Sequence, residues 1–257
     1  MRTVRHSRQI TLRFLRAFLR QPAWVAITLV QPMIWLLLFG ALFRRVVEIP
    51  GFGGGSYLNY LTPGLVVMTA ISSSGWNGMA FVDDMESGVL DRFLVSPVWR
   101  PALNIGSLAY AAFTIIVQSL VIVGVALALG ARFANGVAGV ALLVLLACVV
   151  GMAFAAFSNA LALVTRQRET LIAAVTSVVL PLTFVSSVFI QQRLAPGWIQ
   201  AAARFNPVNW AAEAGRSVAL HRTDWTLVAS RIGLLAGLLL VATALATKAF
   251  GAYQRSL

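Results

Sequence analysis

The run Val137–Val164, VAGVALLVLLACVVGMAFAAFSNALALV, carries no charged side chain. A helix rises about 1.5 Å per residue, so about 20 apolar residues in a row cross the roughly 30 Å hydrocarbon layer of a bilayer. This run is long enough to do so, and five others share its character. They are Ala23–Phe43 with Pro32 inside it, Leu58–Val82, Ala102–Leu129 opened by Pro101, Leu171–Ile190 with Pro181 inside it, and Thr226–Ala246. The pattern predicts an all-α integral membrane protein of six transmembrane helices.

Composition agrees. Only 11% of the 257 residues are charged and 59% are hydrophobic, with a mean hydropathy of +0.84. Soluble domains carry about 25% charged residues, so this chain lacks the side chains to build a water-facing surface. The net charge of +12 does not form a nucleic-acid face, because the basic residues lie between apolar runs with no polar fold to present them. They act first as orientation signals and attract anionic lipid head groups. Twelve of the 20 Lys and Arg residues fall on the side of the termini, six of them before residue 21, and seven fall on the opposite side. Positive charge stays inside, so both termini are expected in the cytoplasm. The arginine- and alanine-rich composition, with Lys248 the single lysine, points to a bacterial inner membrane. No cleavable signal peptide is expected. Cys148 is the one cysteine and forms no internal disulfide.

Before the first run, Ile10, Phe14 and Phe18 recur at helical spacing beside Arg13, Arg16 and Arg20. Residues 1–21 therefore read as a basic amphipathic helix at the membrane interface. Residues 191–225 are too apolar for a free linker and contain Trp198, Phe205 and Trp210. Short helices tucked back toward the outer interface are expected there. The whole of 1–257 is expected to form one transmembrane domain.

Chemistry-bearing motifs are missing. The chain has no phosphate-binding GxxxxGK[ST], no HExxH and no GxSxG, so neither a nucleotide site nor a catalytic residue is expected. His6 and His221 are predicted on opposite sides of the membrane and share no metal. Arg231 is the one charged residue inside a predicted span. Its end position suits snorkelling to head groups, with a salt bridge or a solute contact as the alternatives. Without acids in the spans, ion-driven transport is disfavoured. An energy source must come from elsewhere.

The loop 83–100 holds the informative polar element. Asp83, Asp84, Glu86 and Asp91 accompany Arg92, and Val89 with Phe93 and Leu90 with Leu94 make two i, i+4 apolar pairs before Pro97. A short rigid helix of this kind suits docking in a partner's groove. Its acidity fits anionic lipid poorly.

At Glu86-Ser-Gly88-Val-Leu90-Asp91-Arg92-Phe93-Leu94-Val-Ser-Pro97 the chain resembles the ABC-2 type permeases of the daunorubicin-resistance and nodulation-factor exporter group. The stretch Tyr60-Leu61-Thr62-Pro63-Gly64 adds to the resemblance. So do Pro181, Phe184, Ser186, Ser187, Phe189, Pro196, Trp198, Asn206-Pro207 and Arg216. Gln191 departs from the pattern, where many relatives have proline. The resemblance implies a type V exporter-like fold and a dimer with a second permease copy or paralogue. It also implies two cytoplasmic ABC ATP-binding subunits that hold the ATP and Mg, so no cofactor is expected in this chain. It makes Glu86, Gly88, Leu90, Asp91, Arg92, Phe93, Leu94 and Pro97 a coupling helix and the 1–21 helix a connecting helix. Arg166 and Glu169 become a second ATPase contact, and 191–216 becomes external re-entrant helices.

A substrate face is read from the spans themselves. Thr69, Ser72, Ser73, Trp76 and Asn77 follow helical spacing on the second span, and Thr176, Thr183 and Ser187 do so on the fifth. Such residues often serve only helix packing, and the resemblance is what implies a path there. An uncharged lining of hydroxyls, one amide and an aromatic suits a drug, lipid or glycolipid. The expected function is thus the permease subunit of an ATP-driven exporter of a hydrophobic or amphipathic solute. The alternatives are a polysaccharide or lipid-linked glycan exporter, or an ATP-independent channel or scaffold in the membrane.

Overall fold

The computed structural model describes residues 22–45, 47, 56–88, 101–219 and 223–255. The expected interface helix at 1–21 and the coupling-helix residues Leu90, Asp91, Arg92, Phe93, Leu94 and Pro97 lie outside them.

Every regular element among the described residues is helical. The helices are α1 (Pro22–Leu42), α2 (Tyr57–Gly75), α3 (Met79–Glu86), α4 (Pro101–Ala128), α5 (Gly136–Thr165), α6 (Arg168–Phe184), α7 (Gly197–Ala203), α8 (Pro207–Ala219) and α9 (Trp225–Gln254). Four stretches are long and apolar enough to cross a bilayer, namely Tyr57–Glu86, Leu103–Ala128, Gly136–Thr165 and Trp225–Gln254. Ile27–Leu42 is a shorter apolar helix, and α6 spans 17 residues. This is a membrane protein with several spanning helices.

The helix starts follow from local chemistry. Ser56 accepts the Leu58 N–H and caps α2, and Asp224 accepts the Leu227 N–H at 3.0 Å and caps α9. Pro101 and Pro207 occupy first helical positions, where a missing N–H costs nothing.

The uncharged helix α5 is the hub, packed against α2, α4, α8 and α9 and touching α3 and α6. Leu143, Leu146, Ala147, Val150 and Ala153 on it are fully buried. Outward faces are apolar instead. Ile27, Val30, Ile34, Leu37 and Leu42 of α1 and Leu240 and Val241 of α9 are more than half exposed. Such faces are stable in hydrocarbon and a liability in water.

Two sequence expectations need correction. The second span is not one helix, because α2 stops at Gly75 and α3 restarts at Met79 after a turn at 76–78. The Ser158 hydroxyl of α5 accepts the Gly78 N–H at 2.9 Å and donates to the Gly75 carbonyl. It thereby pairs backbone groups that the break leaves open, which lipid would not satisfy. The helix found at the expected fifth span, α6, begins at Arg168 and stops at Phe184, rather than running from Leu171 to Ile190. The backbone beyond Phe184 is unwound, and side chains from other helices hold its polar groups.

Gly78 makes the first correction possible. A Cβ there would stand 2.3 Å from the Ser158 carbonyl oxygen, whereas one at Gly124 or Gly237 would meet nothing within 4 Å. We predict that Gly78→Ala lowers the Tm of the detergent-purified protein well below that of Gly124→Ala or Gly237→Ala. Equal melting of all three in a fluorescence size-exclusion assay contradicts this packing.

Candidate functional site

Arg216 on α8 is buried at 8% exposure. Its Nε donates to the Tyr60 carbonyl at 3.1 Å, Nη1 to Ser187 Oγ at 2.8 Å, and Nη2 to the Val188 carbonyl at 3.0 Å and to the Ser187 carbonyl. The guanidinium also lies over the Tyr60 ring, 3.9 Å from its centroid. Tyr60 Oη donates to the Ser187 carbonyl at 2.7 Å and Tyr57 Oη to the Phe189 carbonyl at 2.9 Å. Asn209 Oδ1 accepts the Ser187 N–H at 3.0 Å. Within the unwound segment 185–190, the carbonyls of Ser187, Val188 and Phe189 are therefore all answered by side chains of other helices. Gly64 lets α2 come close, since a Cβ there would stand 2.8 Å from the Val188 carbonyl oxygen. Glu213, which Asn209 Nδ2 contacts at 3.0 Å, forms a 2.9 Å ion pair with Arg231. Arg231 thus takes the salt bridge and does not snorkel.

At the other end of the Tyr57–Glu86 stretch stands a second charged cluster. Arg168 reaches Glu86 at 2.7 Å and Asp83 at 2.6 Å. Nε and Nη2 both engage the Glu86 carboxylate, the forked geometry suited to arginine. All three side chains are about half exposed, so the pair positions more than it stabilises. Gly88 follows with φ of 66°. Arg166 also has a left-handed backbone, φ 56°, and its guanidinium sits 4.7 Å from the Tyr253 ring centroid. Glu169 occupies the first turn of α6, where a carboxylate suits the helix dipole. Glu86, Gly88, Arg166 and Glu169 therefore gather at one end.

Between the two ends, a cavity of about 110 Å3 opens among α1, α2 and α4. Thr69, Ser72, Ser73 and Trp76 line one side. Thr28, Gln31, Pro32 and Trp35 of α1 line another, and Gln118 of α4 completes it. Among the described residues, none that lines it is charged. Asn77, expected on the same stripe, is turned away by the helix break. It donates to Ser107 Oγ and to Asn159 Oδ1 at 3.0 Å, and Asn159 in turn donates to Asn104 at 3.0 Å. The fifth-span residues do not join this cavity. Thr176 is exposed, Thr183 donates to the Val179 carbonyl at 2.8 Å, and Ser187 belongs to the Arg216 cluster.

Sequence reading missed Gln118 and the role of Arg216. Each had a signal, an amide in the middle of the Ala102–Leu129 run and an arginine next to alanines and glycine in a helix rich in small residues. Among the described residues, no three His, Cys, Asp or Glu side chains gather as metal ligands do.

Residues 6–220 match the family model described as ABC-2 type transporter. The daunorubicin resistance ABC transporter permease protein DrrB1 of Streptomyces coeruleorubidus is 31% identical over 215 residues, 82% of this chain and 73% of that protein. A protein of Porphyra purpurea that carries the name of a transport permease, ycf38, is 30% identical across 83% of this chain and 73% of its own length. A protein of Mycobacterium tuberculosis carrying the name of a doxorubicin resistance ABC transporter permease, DrrC, is 26% identical across 82% of this chain and 75% of its own.

Replacing Arg216 takes its donors from the Tyr60, Ser187 and Val188 carbonyls and from Ser187 Oγ, and a buried acceptor left unpaired costs about 1–3 kcal/mol. Arg216→Met is expected to abolish recovery of folded protein. Arg216→Lys, which lacks the fork, should lower Tm by more than 10 °C, roughly what several lost kcal/mol imply. Recovery and Tm like the parent protein in either variant contradict the clamp.

Proposed function

The chain belongs to the ABC-2 type transporter family, and on that premise we propose that it is the membrane permease subunit of an ATP-driven exporter. Its cargo is a hydrophobic or amphipathic solute of the drug, lipid or glycolipid class, carried out of the cytoplasm or the inner leaflet. The observation that supports this most is the alignment, over four-fifths of the chain, to a permease named for daunorubicin resistance. The uncharged cavity lined by Thr69, Ser72, Ser73 and Trp76 suits such a solute.

In this reading six helices span the bacterial inner membrane, with α2 and α3 together making the second and α6 the fifth. Both termini are cytoplasmic, and α7 and α8 form the outer re-entrant pair. Two permeases, identical or paralogous, sit on two ABC ATP-binding subunits, which hold ATP and Mg. The loop after Glu86 is the coupling helix, with Leu90, Asp91, Arg92, Phe93, Leu94 and Pro97 facing the ATPase. Arg166 and Glu169 make the second contact.

Closure of the ATPase dimer displaces the coupling helix. Because α3 joins that helix directly and hinges at 76–78, the push reaches Trp76 at the cavity. Arg168 carries the same displacement into α6 through Glu86 and Asp83. Solute access then alternates between the two sides. Thr176, Thr183 and Ser187 are assigned to the path that opens along α6, away from the cavity of this state.

Leu94→Asp tests the coupling. We expect the variant to insert and to reach the membrane in parental amounts. Efflux of daunorubicin from cells expressing it with its ATPase should fall at least about tenfold, as expected for a charge buried in an apolar socket. Efflux at the parental level overturns the assignment.

A further inference from the structure

Arg166 is the one non-glycine among the described residues with a left-handed backbone, at φ 56° and ψ 18°. It closes α5, its N–H donating to the Ala162 carbonyl at 2.9 Å. Glycine usually takes such a position, because a Cβ strains it. An arginine there is explained by what its side chain reaches. The guanidinium lies over the Tyr253 ring, 4.7 Å from the centroid, inside the roughly 6 Å range of a cation–π contact. Arg166 is exposed, whereas Tyr253 is buried.

Tyr253 stands in the last turn of α9, a helix of 30 residues. At 1.5 Å per residue α9 is about 45 Å long, more than the roughly 30 Å of hydrocarbon it crosses. The surplus end is packed. Phe250 and Tyr253 are buried in an apolar cluster with Phe81 and Val82 of α3, Leu163 of α5 and Leu171 of α6. Phe250 meets Phe81 edge-on, with ring centroids 5.6 Å apart. This cluster is distinct from the main core, which holds the buried residues of α2. The break at 76–78 therefore parts α2 from α3 and leaves α3 resting on the end of α9. Residues 166–168 are fastened on two sides, Arg166 to α9 and Arg168 to Asp83 and Glu86 of α3.

We propose that Tyr253 is a positioning residue for the second ATPase contact, holding the Arg166 guanidinium in place from the end of α9. Through Phe250 and Phe81 the same helix end supports α3, so both contacts are set in one frame when the ATPase subunits close. The inference rests on the exporter reading, which gives Arg166 its partner, and it adds the last turn of α9 to the parts that hold that contact. A residue that only filled the cluster could be leucine as well as tyrosine. The aromatic face is needed to hold the cation.

The test titrates the ATP-hydrolysing chain that copurifies from the native membrane onto the full permease chain in nanodiscs, after monodisperse elution of each variant. Tyr253→Phe keeps a ring and should bind within about twofold of the parent. Tyr253→Leu and Tyr253→Met fill the cluster without a ring and should each bind about fivefold more weakly, the size of one partly exposed cation–π contact. Arg166→Gly suits the left-handed backbone and removes the side chain. It should weaken binding at least as much, and Tyr253→Leu should add nothing to it. Hydrogen exchange needs no partner: the Arg166 amide should exchange about fivefold faster in Tyr253→Leu and at the parental rate in Tyr253→Phe.

Parental binding or parental exchange in Tyr253→Leu overturns the proposal. So does a fivefold loss that persists on the Arg166→Gly background, since Tyr253 would then act by packing alone. A parent protein that binds no ATP-hydrolysing chain overturns the exporter reading, and with it the partner given to Arg166. The exchange rates still decide in that case whether Tyr253 holds Arg166, so the two failures are told apart.

Discussion

A stretch of unwound backbone inside a membrane protein must have its carbonyls answered by something, and here the answer is one buried arginine. Arg216 donates to Tyr60, Ser187 and Val188, and Tyr57 and Tyr60 take what it leaves. Each unmatched backbone group in hydrocarbon costs several kcal/mol, so a chain that stops its helix at Phe184 without such donors would simply continue it. The charge is affordable for the same reason, since a guanidinium ringed by four oxygens and a tyrosine face is no longer an isolated ion. The clamp ties α2, α8 and the segment after α6 into one rigid end.

Rigidity at that end gives meaning to compliance at the other. The Tyr57–Glu86 stretch is 30 residues long and is anchored by Tyr57 and Tyr60 at its start. Its break at 76–78 is held by local turn hydrogen bonds and, from other helices, by the Ser158 hydroxyl and the partners of the Asn77 amide. Hydrogen bonds of this kind are worth about 1 kcal/mol each, a barrier that a binding event elsewhere can overcome. Beyond the break, α3 is short and half exposed, and Arg168 links it to α6 at the surface. A lever fixed at one end, notched near its middle and gripped at the other is the mechanical form of the proposed coupling. The cavity lies beside the notch, where movement of Trp76 changes its shape.

Much of this was legible in the sequence, and the exceptions share a cause. The runs that became α4 and α5 are uncharged, and the one that became α9 carries a single charge, Arg231, over lengths that only a membrane explains, so composition and length sufficed. The breaks were not legible, because they are tertiary events. Nothing in Trp76-Asn77-Gly78 distinguishes a turn from a helix until Ser158, 80 residues away, supplies the missing partners. The same holds for 185–190, where period and hydropathy favour helix and Arg216 overrules them. Helical spacing put Asn77 beside Ser73, and the break rotated it into the α4 and α5 polar cluster. For Thr69, Ser72 and Ser73 the helix ran unbroken, Trp76 caps its end, and the four line one cavity as the periodicity implied. Gln118 escaped notice because the two widely spaced amides of that apolar run, Asn104 and Gln118, set up no periodicity to betray it.

The proposed division of labour makes one demand above the others: force must enter this chain from outside, at the Glu86–Arg168 end. The most direct test is affinity purification of the intact chain from its native membrane in mild detergent, with ATP hydrolysis measured on the eluate. The account predicts a nucleotide-hydrolysing chain in fixed stoichiometry with the permease, released by charge reversal at both Asp83 and Glu86. A folded, monodisperse permease that exports its solute with no such chain attached would contradict it.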